Sequence, residues 1–476
     1  MHARSGRLLR DALLTIASRF GIAVLIFGTD IILARLLSPA GKGRFSLVLL
    51  TSQLAAVVVG WGMDAALGVV AGRSRDDARR GLTNALLWSA VVGGFAVVLL
   101  CALYGLPTSA PPAGPLVSVI PGLNATQFAM AALAIPGETF FALGLFALLG
   151  RQGVAAYAGI RLLRRGMLLV LLVAVAAIAR LSLDAALIVN LATLVLTGLA
   201  IIVVAARTGS AMGRPDGRLL REQLSFGSRS VLATLTERLL FRVDAFIVNA
   251  LLGVRATGLY SVTQSLAETL WYVPNAIGTV MFSRAVDPRG DAARVAAVLT
   301  RTTIAMTIVV GIPAFILGPR VVRVVYGSAF TDAGVALRFI LPGIVAYSAV
   351  AVLSRYIVGR GRPGWTTAIG LAGLGVNVVA NLVLVPALGI RGAALASSIA
   401  YGATAAITIW AFVRLSGRGW LETLALRPSD VRALMRAFLA LVGRVRGRRT
   451  GPLVGLRGGE TAARVVIAEG EPGDEP

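Results

Sequence analysis

This chain of 476 residues is short of the side chains that most catalytic chemistry needs. Cys101 is its only cysteine and His2 its only histidine. A single cysteine allows neither an intrachain disulfide nor a thiolate cluster. A single histidine beside the initiator excludes an internal Ser-His-Asp triad and a histidine-based metal site. Charge is also scarce, at 14% of residues against about 25% in soluble domains. Lysine is nearly absent: Lys42 is the only one, so arginine supplies almost all of the positive charge.

What fills the space is apolar. Hydrophobic residues make up 57% of the chain, with a mean hydropathy of +0.82. One water-soluble core cannot absorb that much apolar surface, so the bilayer must act as solvent. The formal net charge of +24 would suggest nucleic acid in a soluble protein. Here the arginines sit between long apolar runs, which marks loops beside anionic lipid and argues against a nucleic-acid partner.

Runs long enough to cross a membrane are expected near 12–37, 45–71, 82–106, 125–150, 162–180, 183–206, 224–252, 258–282, 295–318, 334–358, 365–387 and 392–414. Arg73, Arg79, Arg80, Arg161, Arg164, Arg165, Arg214, Arg218, Arg284 and Arg360 then fall in one set of alternating loops. The other set keeps fewer, among them Lys42 and Arg44. The positive-inside rule places the first set, and both termini, in the cytoplasm. Localisation in the cytoplasmic membrane follows as an expectation, with membrane lipids as immediate partners.

The chain repeats itself. Arg7-Leu8-Leu9-Arg10-Asp11 returns as Arg218-Leu219-Leu220-Arg221-Glu222. Leu36-Leu37 with Gly43-Arg44-Phe45-Ser46 returns as Leu251-Leu252 with Gly258-Leu259-Tyr260-Ser261. The expected fold is an all-α polytopic membrane protein of about twelve spans in two six-helix bundles, related by a pseudo-twofold axis around a central cavity. The bundles would cover 1–206 and 224–415, joined by a cytoplasmic linker at 207–223. A cytoplasmic tail at 416–476 would carry a basic amphipathic stretch, Arg432 to Arg449, and an acidic end.

Charges inside spans are costly, about 2.5–3.5 kcal/mol or more at a helix centre, so each is a candidate. Arg19 and Asp30 stand eleven residues apart on nearly one face of the first span. The second span aligns Gln53 and Asp64. The seventh carries Arg238 and Arg242 on one stripe and Glu237 and Asp244 on the next. The eighth presents Glu268, whose place in the repeat matches that of Gln53. Glu138 follows Pro136-Gly137 in the fourth span, where a backbone group freed by proline could use its side chain. Arg35 reads as an interface anchor. Guanidinium forks bind phosphate oxygens bidentately, so Arg19, Arg238 and Arg242 are the candidate anion-binding set. Asp30, Gln53, Asp64, Glu138, Glu237, Asp244 and Glu268 are the candidate ion-coupling or cavity-lining polar set. No catalytic residue, cofactor or metal is expected. Gly359-Arg360-Gly361-Arg362-Pro363-Gly364 fits the dinucleotide pattern but has no strand before it and reads as a turn. Asn124-Ala125-Thr126 fits a glycosylation sequon by chance.

The run Asn381-Leu382-Val383-Leu384-Val385-Pro386-Ala387-Leu388-Gly389-Ile390-Arg391-Gly392-Ala393-Ala394 resembles the Wzx-like polysaccharide flippases of the multidrug/oligosaccharidyl-lipid/polysaccharide exporter superfamily. Val243-Asp244 and Val325-Tyr326-Gly327 are similar too. The resemblance implies an alternating-access flippase, not an enzyme. Its cargo would be a polyprenyl-diphosphate-linked glycan for cell-surface polysaccharide, with a polysaccharide polymerase or glycosyltransferases as partners. The alternatives are a lipid II flippase, a drug or cation antiporter of the same superfamily and, in another class, a polysaccharide polymerase or ligase. The polymerase reading suffers from the loop 107–124, which holds no charged residue.

Overall fold

A computed structural model describes residues 2–106, 114–210, 212–285, 291–428, 430 and 432. It describes side chains from Ser18 onward, apart from those of Arg19, Gln152, Val273, Val280 and Ser283. The described chain is helical: α1 His2–Leu36, α2 Ser38–Gly60, α3 Met63–Arg73, α4 Arg75–Tyr104, α5 Leu116–Val119, α6 Ala125–Gln152, α7 Val154–Ile178 and α8 Leu183–Arg207. The second half holds α9 Gly217–Leu240, α10 Val243–Leu270, α11 Tyr272–Ala285, α12 Ala292–Val325, a 3₁₀ turn Ser328–Phe330, α13 Thr331–Gly359, α14 Pro363–Leu388, α15 Ile390–Ser416 and α16 Trp420–Leu424. Among the described residues, nine helices are long and apolar enough to cross a membrane.

Helices cover every expected run, some in pieces. The second is broken into α2 and α3 at Trp61, whose φ of 50° lies in the left-handed region. The seventh is α9 plus the start of α10. Gly253, at φ 79°, bends α10 so that its remainder starts the eighth, which ends in α11. Polar caps set several starts. Ser74 accepts the Asp77 amide at 3.0 Å, Asn124 and Gln127 close a capping box on α6, and Asp216 accepts two amides of α9. The sequon asparagine is thus a helix cap. The Gly389–Ala394 motif is architectural. A Cβ on Gly392 would lie 2.0 Å from the Leu384 carbonyl oxygen, so only glycine lets α15 fold back on α14.

Each half has its own buried cores, one built around Phe128 and Leu172 and one around Met63 and Leu143 in the first half. In the second half the cores gather around Tyr260 and Ile344 and around Met281 and Leu353. The halves meet chiefly where α2 packs on α10, and α9 also leans on α3. At the linker end, Asn84 and the Asp216 backbone exchange hydrogen bonds of 2.8 and 3.0 Å, and Arg73 pairs with Glu222 at 2.6 Å. The Leu219 amide and the Arg80 guanidinium hold the Asp216 carboxyl below its ordinary range.

The start of the tail packs against the bundle. Arg301 of α12, 3% exposed, forks onto Asp430 at 2.8 and 3.2 Å and also donates to the Glu422 carbonyl. The stretch Arg432 to Arg449 lies outside the described residues beyond Arg432. One expectation is corrected: Lys42, read as a loop residue, is buried in the second turn of α2.

Candidate functional site

A cavity of about 350 Å³ opens between the halves. Ile22 and Ile26 of α1, Gln53 of α2, Asp64 of α3 and Glu138 and Phe141 of α6 line one side together with Tyr157, Arg161, Arg164 and Arg165 of α7. Thr234 and Arg238 of α9 and Arg242, at the α9–α10 junction, line the other. Five arginines therefore face two acids.

Pairing sorts these charges. Arg164 forks onto Glu138, with Nη1 donating to Oε2 at 3.0 Å and Nη2 to Oε1, and its guanidinium stacks 4.3 Å from the centre of the Phe141 ring. Both partners are buried, so this pair is internally neutral. Arg242 pairs with Glu268 of α10 at 2.7 Å while both stay partly exposed. Among the described residues, Arg161, Arg165 and Arg238 form no ion pair. Arg161 lies over the Tyr157 ring at 5.3 Å. Tyr272 of α11 brings a phenol from the other half within electrostatic reach of Arg161 and Arg165. Asp64 sits in the first turn of α3, where the helix N-terminus favours its negative charge. Three unpaired guanidinium groups around one cavity inside a membrane protein call for an anion.

The structure brings Gln53, Asp64, Glu138, Arg238 and Arg242 together in this lining and places Glu268 against it through Arg242. The side chain of Arg19 lies outside those described. Asp30 is not in the lining: it is buried and paired with Lys42. Glu237 is exposed and outside the lining, within electrostatic reach of Tyr347. Asp244 is fully buried in the second half. Its carboxylate accepts only from neutral donors: Tyr260 Oη at 2.6 Å, Gln264 Nε2 at 2.8 Å, Ser397 Oγ at 3.0 Å and its neighbour's amide at 2.9 Å. Glu138 serves Arg164 and not a backbone group freed by Pro136. Arg35 bonds the last carbonyls of α12.

Sequence reasoning missed Arg161, Arg164 and Arg165. Starting the fifth span at 162 put Arg161 in a loop and counted the other two as loop charges. α7 begins eight residues earlier, and their spacing of three and four sets all three on one helical face. That spacing was the available signal.

A family profile described as "Polysaccharide biosynthesis protein" matches residues 32–334. The "Probable low-salt glycan biosynthesis flippase Agl15" of Haloferax volcanii is 24% identical over 211 residues, 41% of this chain and 43% of that protein. The chain therefore spans less than half the length of that curated relative. Among solved structures, the inward-facing conformation of a multidrug resistance MATE family transporter of the MOP superfamily aligns with a TM-score of 0.66 at 16% identity, covering 83% of this chain and 95% of that one. The lipid II flippase MurJ, in an inward closed conformation, gives 0.64 at 13% identity and covers 96% of both chains. A MOP superfamily transporter from Pyrococcus furiosus, described as having a binding pocket of reverse polarity, gives 0.61 at 17% identity over 86% of this chain and 95% of that one. At such identities the likeness shows the fold, and the profile match shows the family. The chain belongs to the polysaccharide biosynthesis protein family and is a multi-pass membrane protein.

Proposed function

We propose that the chain flips a polyprenyl-diphosphate-linked glycan across the cytoplasmic membrane by alternating access between its halves. The observation that carries this reading is the set of unpaired cavity arginines, Arg161 and Arg165 from one half and Arg238 from the other. A diphosphate linking lipid to sugar carries two negative charges, and guanidinium groups from both halves can share its oxygens. A carrier of cationic drugs would need the opposite polarity. Arg242 is held in reserve by Glu268, and an arriving phosphate can compete for it.

The Asp244 carboxyl supplies the coupling step. Among the described residues no cation hydrogen-bonds it, and Arg242 acts on it only from a distance, so it can take up or release a proton or cation as its surroundings change. The arginine bias of the loops puts the linker end and both termini in the cytoplasm, and glycosyltransferases and a polymerase would supply and consume the cargo on the two faces.

The test is flipping of a diphosphate-linked glycan lipid in proteoliposomes. Arg238→Ala should retain the fold and lose most transport, on the order of tenfold or more for a lost charge-assisted contact. Arg238→Lys should recover part of it, because lysine keeps the charge but loses the fork. Wild-type rates in a properly folded Arg238→Ala protein would remove the anion-binding role.

A further inference from the structure

The end of the molecule where α1 hands over to α2 is closed, and the closure has a specific construction. Gly43 of α2 and Gly258 of α10, equivalent positions of the internal repeat, meet face to face. A Cβ on Gly43 would lie 1.8 Å from the Val254 carbonyl oxygen, and one on Gly258 would lie 1.8 Å from the Pro39 carbonyl oxygen. Ala34 of α1 joins an apolar cluster with Leu259, Val262, Val322, Tyr326 and Phe330 of the second half, and Phe27 meets the Tyr326 ring edge-on at 5.9 Å. Two well-formed hydrogen-bonded contacts cross between the halves there among the described residues. Asn249 donates to the Pro121 carbonyl at 3.0 Å. Arg35 donates through Nε to the Val325 carbonyl at 2.8 Å and through Nη2 to the Val324 carbonyl.

The Arg35 contact has a clear physical sense. Val324 and Val325 end α12, where carbonyls lack helical partners and the helix dipole is negative. A guanidinium from the other half satisfies both features at once. Beneath this contact lies the buried ion pair of Asp30 and Lys42, with side chains 8% and 5% exposed. The pair is imperfectly satisfied: Asp30 Oδ2 and the Tyr326 hydroxyl of the other half face each other within interaction range but form no well-aligned hydrogen bond. Such a pair gains solvation as soon as water reaches it. The closed end thus sits on a pair that favours opening and is held shut by contacts that must break for opening.

We propose that Arg35 is the latch of this end. By capping α12 from the opposite half it keeps the halves shut over Asp30 and Lys42, and Lys42 becomes reachable from water only when that contact releases. The proposal rests on the flippase reading only in taking the halves to part at this end during transport.

The chain carries its own reporter, since Lys42 is its only lysine. The full-length protein in lipid nanodiscs is exposed to a small amine-acylating reagent, and acylation of Lys42 is followed by peptide mass spectrometry against the α-amino group of the same chain. In the wild type, Lys42 should react far more slowly than the α-amino group, allowing for their different basicities. Arg35→Gln should raise the Lys42 rate about tenfold or more, the factor carried by one charge-assisted hydrogen bond, with the melting temperature of the bundle little changed. Arg35→Lys should fall between the two. Asn249→Ala, which cuts a neutral cross-half bond, should raise the rate less than Arg35→Gln. Equal rates in wild type and Arg35→Gln would overturn the proposal, as would a wild-type Lys42 as reactive as the α-amino group. If Arg35→Gln proves too unstable to measure, the order of wild type, Arg35→Lys and Asn249→Ala decides, and a rate for Arg35→Lys no higher than wild type overturns the latch. Labelling needs no cargo. A protein that labels as expected yet moves no glycan lipid keeps the latch and loses the cargo reading.

Discussion

Glu138 and Asp244 are both buried carboxylates in the membrane-spanning bundles, one in each half, and they are held in opposite ways. Glu138 is clamped by both arms of the Arg164 guanidinium. Asp244 has two hydroxyls, a carboxamide and a backbone amide and, among the described residues, no cation in direct contact, Arg242 acting on it only from a distance. The first arrangement fixes a charge. Protonating Glu138 would strand a buried arginine, so this pair shapes the cavity wall and spaces Arg161 and Arg165 around it. The second leaves a charge free to change, because hydroxyl groups can turn to donate or accept as the carboxyl gains or loses a proton. Under the proposed function, the difference separates a structural acid from a coupling acid.

Two substitutions would sharpen or break this contrast. Glu138→Gln should have the larger effect on stability. It leaves Arg164 buried and unpaired, a loss of about 3–5 kcal/mol for breaking such a pair. The melting temperature in detergent should fall clearly, and Glu138→Leu with Arg164→Met should restore much of it. A Glu138→Gln protein that melts like wild type would mean that Arg164 has another partner. Asp244→Asn should cost less, about 1–3 kcal/mol for reorganised hydrogen bonds, while uncoupling transport from the ion or proton gradient. Flipping measured with and without an imposed gradient reads this out. Undiminished gradient dependence in Asp244→Asn would move coupling elsewhere.

The fold was legible because the signals for spans and repeats are local. Apolar runs located the helices over each expected span, and Gly43 and Gly258, matched in the repeat, meet across the halves in the structure. The cavity was legible in part. Gln53, Asp64, Arg238 and Arg242 follow from helical periodicity, which says which face of a helix is polar. Periodicity does not say what that face meets. The partners of Glu138, Asp30 and Arg35 are Arg164, Lys42 and the end of α12, and these are tertiary facts. α7 was cut short because arginines were counted as loop markers. That rule works for lipid-facing helices and fails for one whose cationic face looks into a cavity. Arg301 escaped notice for a related reason: its partner Asp430 comes from a segment past the last span.

The central claim is that the cavity recognises a diphosphate, and the most direct measurement compares headgroups on one carrier. Wild-type protein in proteoliposomes is offered the same polyprenyl lipid joined to the same sugar through a diphosphate, through a single phosphate, or through a neutral linkage. The account predicts fast flipping of the diphosphate form, slower flipping of the monophosphate and none above background for the neutral form. Equal rates for all three, or transport of a cationic amphiphile in preference to the diphosphate, would contradict it.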